Sequence, residues 1–239
     1  MIYRRILLKL SGEALGGGRS GIDSRFVLDL VNDISAVADR GVQVAIVCGG
    51  GNIFRGIAAD SAIDRTAADA MGMLATMING LALREFFRSQ GRQAVAMAAY
   101  PVEGILPAFS AEHARNLLDS GHIVILTGGT GLPYFSTDTA AVMRALQINA
   151  DVMIKATKVD GIFDRDPLSD PTARKFSNLT FNRVLELDLK VMDAAAIALC
   201  RDNNLPVVVF NLLEKGHLGK LMAGERIGTR VMQEDMCDD

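Results

Sequence analysis

Tryptophan is absent from the 239 residues, and aromatic side chains make up only 5% of them. That leaves few platforms on which nucleic-acid bases could stack. Cysteine is scarce: Cys48, Cys200 and Cys237 are odd in number and far apart. A disulfide framework and a C-x-x-C metal site are thereby excluded, and a reducing cytosol is the natural reading. His113, His122 and His217 are equally scattered, with no pair at metal-ligand spacing. Positive charge is not in excess. The net charge is −3, so a nucleic-acid binder with a dominant basic face is not expected. Long hydrophobic runs are missing as well. The apolar run after Met1-Ile2-Tyr3-Arg4-Arg5 covers only Ile6 to Leu8 before Lys9, too short for the core of a signal peptide. The longest helical apolar stretch, Ala70 to Leu83, has 14 residues, against roughly 18 for a membrane span. A cytoplasmic chain without membrane or nucleic-acid partners is the expectation.

Hydrophobic residues make up 49% and charged residues 22%, a globular composition. The length suits one α/β domain over 1–239, with an acidic tail, 233–239, expected to fray. Strand-like runs occur at Ile6–Leu10, Val42–Val47, Ala94–Ala98, His122–Leu126, Val152–Ala156 and Pro206–Phe210, with a last short strand near Gly228–Met232. Between them lie helical patterns at 23–40, 66–89, 110–120, 138–149 and 181–203, the last as one or two helices. Asp23 or Ser24 is placed to cap the first of these and Gly41 to end it. The polar, proline-containing loop Asp160–Thr180 reads as a turn or hairpin excursion. Continuous apolar strands alternating with helices predict a mostly parallel sheet covered on both faces.

Ligands of such sheets sit beyond the carboxyl ends of the strands. The loops following strands are Ser11–Gly18, Gly49–Gly56, Thr127–Thr137 and Thr157–Asp166, and three of them are glycine-rich. Glycine lets the backbone approach a phosphate and aim N–H groups at it. No G-x-x-x-x-G-K-[ST] is present, which excludes a P-loop enzyme. Gly16, Gly18 and Gly21 spell G-x-G-x-x-G, but they begin well past the first strand, and no acidic residue follows the second. A dinucleotide site is therefore not predicted. The H-R-D and D-F-G motifs of protein kinases are missing too.

Lys9 interrupts an apolar strand immediately before Ser11-Gly12. A lysine there is costly to bury without an anion. Lys155 repeats the pattern at the end of Val152-Met153-Ile154, with Lys158 close behind. Asp138 and Asp193 each stand near a predicted helix start, where an acid is also at home for capping or dipole reasons. Two strand-end lysines and two acids suit a polyphosphate with Mg²⁺.

The motifs come in a telling order. Lys9-Leu10-Ser11-Gly12-Glu13 is followed by Gly49-Gly50-Gly51-Asn52-Ile53-Phe54-Arg55-Gly56 and then by Gly129-Thr130-Gly131-Leu132-Pro133-Tyr134-Phe135-Ser136-Thr137-Asp138. Next come Lys155-Ala156-Thr157-Lys158-Val159-Asp160-Gly161-Ile162-Phe163, Asp166-Pro167 and Lys190-Val191-Met192-Asp193. From about Arg4 to Met232 the chain resembles the bacterial uridylate kinases of the amino-acid-kinase superfamily. The resemblance implies a three-layer α/β sandwich around a mainly parallel sheet, with a carbamate-kinase-like fold. It implies transfer of the γ-phosphoryl group of ATP to UMP in pyrimidine nucleotide synthesis, with Mg²⁺ carried by the ATP phosphates and bound by no protein ligand directly. Carried over by motif, Lys9, Leu10, Ser11, Gly12, Gly51 and Arg55 should meet the ATP phosphates, and Thr157, Phe163 and Asp166 the adenosine end. UMP should meet Gly50, Asp69 and the run Thr130, Gly131, Leu132, Pro133, Tyr134, Phe135, Ser136 and Thr137. Lys9, Asp138, Lys155, Lys190 and Asp193 are the candidates for the chemistry, with Asp138 expected to orient the lysines or the metal.

The segment Ala70–Leu83 is apolar nearly all round, broken only by Thr76 and Asn79 apart from its glycines. Such a helix is buried on more than one side. It is either a central core helix or one that packs on a sheet and on a second subunit. The resemblance favours the second, since that family assembles as a homohexamer of dimers activated by GTP and inhibited by UTP. Arg84 and Arg88, four residues apart, are candidate effector contacts or simply a solvated helix end. The loop Gly16–Gly21 is one residue shorter than in some relatives, which bears on the GTP response. Two alternatives stay open: a fold relative that phosphorylates a carboxylate or carbamate, and a non-catalytic nucleotide-binding storage protein.

Overall fold

The computed structural model describes residues 1–54, 62–212 and 214–233. The strands are β1 (Arg5–Leu10), β2 (Gln43–Cys48), β3 (Ala94–Ala98), β4 (Ile123–Thr127), β5 (Val152–Thr157), β6 (Asn178–Thr180), β7 (Val207–Asn211) and β8 (Thr229–Met232). They form an 8-stranded sheet in the order β3-β4-β2-β1-β5-β7-β8-β6. From β3 to β7 in that order every neighbouring pair is parallel. β8 then runs antiparallel to β7, and β6 pairs parallel with β8. The expected mainly parallel sheet is present, with a reversed edge.

The helices are α1 (Gly12–Leu15), α2 (Ser24–Ala38), α3 (Arg65–Ser89), α4 (Ala111–Asp119), α5 (Thr137–Gln147), α6 (Phe181–Glu186), α7 (Ala194–Asp202) and α8 (His217–Ala223). Strand side chains alternate between faces, and this sorts the core into two layers. Ile6, Leu8 and Leu10 of β1 join Val27, Leu30 and Ile34 of α2, Leu83 and Phe87 of α3, and Leu221 of α8. Leu7 joins Leu118 of α4, Val142 and Ala145 of α5, Phe181 of α6 and Ile197 of α7 on the other face. Each side chain so buried contributes about 1.5–3 kcal/mol. The same alternation puts Lys9 on Leu7's face and Lys155 on Met153's, toward α5. Asp23 is the cap of α2, its side chain accepting from the N–H groups of Arg25 and Phe26.

Short elements escape the sequence pattern. β6 has 3 residues and α1 has 4, too few to show a period. α8 has 7 residues and lies between the left-handed Gly216 and Gly224. The 181–203 region is two helices, α6 and α7, separated by Leu187–Asp193. The excursion after β5 folds back through an antiparallel bridge between Phe163 and Lys175 before β6. Thr229, fully buried at the start of β8, accepts from the Ile162 N–H at 2.8 Å and donates to the Phe176 carbonyl. The last strand therefore pins both arms of that excursion. Of the tail expected to fray, only Gln233 is among the described residues. Among the described residues, no helix is long and apolar enough to cross a membrane.

Candidate active site

Lys9 and Lys155 are register partners on β1 and β5. Adjacent strands lie about 4.8 Å apart, so two like charges would stand side by side. Asp138, in the first turn of α5, separates them. Its Oδ1 lies 2.8 Å from Lys9 Nζ and its Oδ2 accepts from Lys155 Nζ at 2.7 Å. The three side chains are only 9, 13 and 15% exposed for Lys9, Asp138 and Lys155. Burial works to raise the Asp138 pKa, but the two ammonium groups outweigh it and hold the carboxyl below its usual range. Burial pulls the Lys155 pKa below its usual value despite Asp138. Lys155 also donates to the Val191 carbonyl. Two cations thus flank one anion at the carboxyl ends of β1 and β5, with the Asp193 carboxylate acting on Lys155 from further off.

Two glycine turns meet above this trio. Ser11 caps α1, its Oγ accepting from the Ala14 N–H at 3.1 Å. The Gly49 N–H donates to the Leu10 carbonyl at 2.9 Å. A Cβ on Gly12 would stand 2.5 Å from the Gly51 nitrogen and 2.9 Å from the Gly49 oxygen. Only glycine lets these backbones abut. A Cβ on Gly50 would come within 2.8 Å of Ala75 Cβ and of the Gly72 oxygen, so α3 seals the second turn.

A cavity of about 150 Å³ opens beside that turn, lined by Gly50, Asp69, Thr130, Leu132, Phe135 and Thr137, together with Met73 and Thr76. Asp69 accepts from the Tyr134 N–H at 2.8 Å and from Arg65 Nε at 2.9 Å. Slight burial opposes its charge, but these two donors keep its pKa below the usual carboxylate value. Tyr134 is held at a φ of 69°, a conformation that costs a non-glycine residue about 1–2 kcal/mol. Arg65 lies over its ring, 5.4 Å from the centroid. Thr130 Oγ1 accepts from the Leu132 N–H at 3.1 Å and closes the turn.

A larger cavity of about 590 Å³ lies past β5, lined by Lys155, Thr157, Phe163, Asp166 and Lys190 among others. The residues expected at the adenosine end thus share one wall. Val159, Leu187, Asp188, Leu189 and Val191 also line it; the sequence reading gave these five no role of their own. Glu13 and Lys158 pair at 2.8 Å across the two loops that follow β1 and β5.

Other expected residues are placed differently. Lys190 is 82% exposed and pairs with Asp188; it stands on the rim of the large cavity, apart from the buried trio. Asp193 is the N-cap of α7, accepting from the Ala196 N–H at 2.9 Å and from Thr139 Oγ1 at 2.8 Å. Ser136, the N-cap of α5, also donates its hydroxyl to Asp193. The Leu10 side chain lies in the opposite core layer, so only its main chain borders the turns. Gly131, at φ 84°, and Pro133 shape the Thr130–Thr137 loop without lining the small cavity. Arg55 lies outside the described residues. Arg84 and Arg88 both pair with Glu85.

Cationic groups at the strand ends, glycine turns and two cavities mark the class: an α/β protein with a site suited to phosphorylated ligands. Residues 4–211 match the model of the amino acid kinase family. A uridylate kinase of Parabacteroides distasonis is 48% identical over 231 residues, covering 96% of this chain and 98% of that protein. The crystal structure of a UMP kinase from Bacillus anthracis superposes with a TM-score of 0.94 at 38% identity, over 97% of each chain. One from Ureaplasma parvum gives 0.90 at 35% identity, over 98% of this chain and 100% of that one. The chain belongs to the amino acid kinase family and, within it, to the uridylate kinases.

Proposed function

We propose that the chain transfers the γ-phosphoryl group of ATP to UMP, giving ADP and UDP. One observation carries this reading. Lys155 lines the larger cavity, while Thr137, next to Asp138, lines the smaller one. Asp138, paired with Lys155, thus directly follows a residue of the smaller cavity, and the charged trio is read as the junction of the two. ATP is assigned to the larger cavity, with its phosphates over Lys9, Ser11, Gly12 and Gly51. UMP is assigned to the smaller, against Gly50, Asp69 and the Thr130–Thr137 loop.

A UMP phosphate is already largely ionised near neutral pH, with a second pKa of about 6. No general base is required, which accords with a site without histidine or cysteine. The residues must instead hold two anions together and stabilise charge on the moving phosphoryl group. Lys9 and Lys155 supply the charge, Asp138 keeps them parallel, and the glycine turns supply N–H donors. Among the described residues no three His, Cys, Asp or Glu side chains converge as a metal site, and both oxygens of Asp138 face ammonium groups. Mg²⁺ is assigned to the ATP phosphates, as in the family the chain belongs to.

The wider reading is a single-domain cytoplasmic enzyme of pyrimidine nucleotide synthesis, assembled as a homohexamer of dimers. Met71, Leu74 and Ile78 support a dimer through α3: they share one face at helical spacing and are 39, 50 and 50% exposed. GTP activation and UTP inhibition are proposed with it, Arg84 and Arg88 being the candidate contacts. The test is ADP release from ATP and Mg²⁺ with UMP, CMP, TMP or amino acids as acceptor, with and without GTP. UMP-dependent release is expected. Release that depends on an amino acid, or none with any acceptor, would overturn the reading in favour of a carboxylate kinase or a storage protein.

A further inference from the structure

Two buried amides lie beneath the glycine turns. Asn52 is 5% exposed and Asn79 fully buried. Asn79 Nδ2 donates to Asn52 Oδ1 at 2.7 Å, and Asn52 Nδ2 donates to Asn79 Oδ1 at 3.0 Å. The second hydrogen on Asn79 Nδ2 goes to the Gly49 carbonyl at 2.7 Å, and the second on Asn52 Nδ2 to the Gly21 carbonyl at 2.8 Å. Every side-chain N–H of the pair is therefore used. The amide orientations are forced, because flipping either would aim an oxygen at a carbonyl. The main chain of Asn52 is engaged too, its carbonyl accepting from the Gly21 N–H at 2.9 Å.

The pair bears directly on the phosphate-facing backbone. A Cβ on Gly12 would stand 2.7 Å from Asn52 Oδ1, so the first turn rests against the amide while Asn79 holds the second turn by Gly49. Glycine turns have no side chains of their own and wide backbone freedom; an external clamp has to fix them. The clamp is anchored on α3, which serves the acceptor side as well. Thr76 Oγ1 accepts from the Gly128 N–H at 2.8 Å, and Asp69 holds the Tyr134 N–H. One helix thus references both halves of the site.

We propose that Asn52 and Asn79 are a positioning pair that sets the spacing of the two glycine turns, and with it the rate of phosphoryl transfer, while touching neither nucleotide. This rests on the UMP kinase reading above. If it holds, ATP keeps the larger cavity with Ser11 and Gly12, and UMP keeps Asp69 and the Thr130–Thr137 loop, when the pair is broken, but Gly50 and Gly51 shift between them and the reacting groups are misaligned. A misplacement of about 1 Å costs on the order of 100-fold in rate.

The test uses the full chain as Asn79→Ala, Asn52→Ala and the double variant, with kcat, both KM values and Tm measured. Each single change is expected to lower kcat roughly 10- to 100-fold with KM values within about twofold of wild type. The double variant should lose no more than either single, because the pair acts as one unit. A lowered Tm with wild-type kcat in the folded state would make the pair merely structural and overturn the proposal; so would raised KM values at unchanged kcat. Asn52 sits in a turn, so Asn52→Ala decides the matter if Asn79→Ala does not fold. A wild-type chain without UMP-dependent turnover would instead remove the kinase reading on which the proposal stands.

Discussion

Lys9 and Lys155 face each other across neighbouring parallel strands, with the carboxylate of Asp138 within 2.8 Å of one ammonium and 2.7 Å of the other. Like charges directly opposite one another destabilise a sheet. The fold tolerates them here because Asp138 takes both. Asp193 acts on Lys155 as well, from further off.

Replacing Lys9 by Met removes one ammonium and leaves Asp138 neutralised by Lys155. The chain should stay folded, with kcat lowered about 10²–10³-fold, the usual effect of deleting one donor to a transition-state anion. Steady-state kinetics beside a melting curve check this; wild-type turnover would take Lys9 out of the mechanism. Asp138→Ala should behave differently, since it strands two buried ammonium groups and costs about 3–5 kcal/mol of stability as well as activity.

The pH dependence separates stability from activity. The depressed pKa of Asp138 contributes stability that is present above its ordinary value of 3.8 and is lost as pH falls through the lower, folded value. Lys155 has the opposite role. Its depressed pKa makes the protonated form a cost in the fold, relieved as pH rises through the folded value toward the ordinary 10.5. In the proposed role Lys155 acts protonated, so the alkaline limb of kcat/KM, which reports the free enzyme, should fall below 10.5 while the stability contribution of Lys155 grows. A Lys155→Arg enzyme, if active, should have that limb shifted upward. A limb unmoved by the substitution would assign it to another group.

Asp69 touches the acceptor loop and none of the residues assigned to ATP. Asp69→Asn weakens its hold on Arg65 and on the strained Tyr134 N–H. The expected outcome is a rise in KM for UMP of about tenfold, the loss of one charged hydrogen bond of about 1.5 kcal/mol, with KM for ATP unchanged. Equal increases for both substrates would contradict the separation of the two cavities.

Arg88 Nη1 pairs with Glu85 at 3.3 Å while its Nε donates to the Ala94 carbonyl at 3.3 Å, and the side chain is half exposed; the Nη1 end is placed to exchange Glu85 for a phosphate. Arg88→Ala should leave basal turnover intact and reduce the response to GTP. Unchanged GTP activation would return Arg84 and Arg88 to the role of a solvated helix end.

Much of the site was legible because buried charge is rare. Lysines inside the apolar runs of β1 and β5 stood out; that both lie on one face came from the register of the two strands. Asp138 as the group that orients them follows once both are aimed at the start of α5. What stayed hidden depends on contacts remote in sequence. Asp193 reads as a helix-start acid, and its bond to Ser136, 57 positions away, has no local signature. Asn79 did leave a trace, as a polar break in the apolar run Ala70–Leu83, but its partner Asn52 lies in another loop. The outward stripe of Met71, Leu74 and Ile78 matches a helix that is apolar on more than one side. β6 and α8 were missed because elements so short are formed by their neighbours and not by their own periodicity.

The position of β8 constrains how the protein comes into being. This segment follows β6 and β7 in the chain, yet it wedges between them, and Thr229 then fastens the excursion that walls the larger cavity. A nascent chain threaded only as far as Asn211 has its lysines and its glycine turns but not that wall. The larger cavity therefore takes its final shape only when β8 has inserted between β7 and β6.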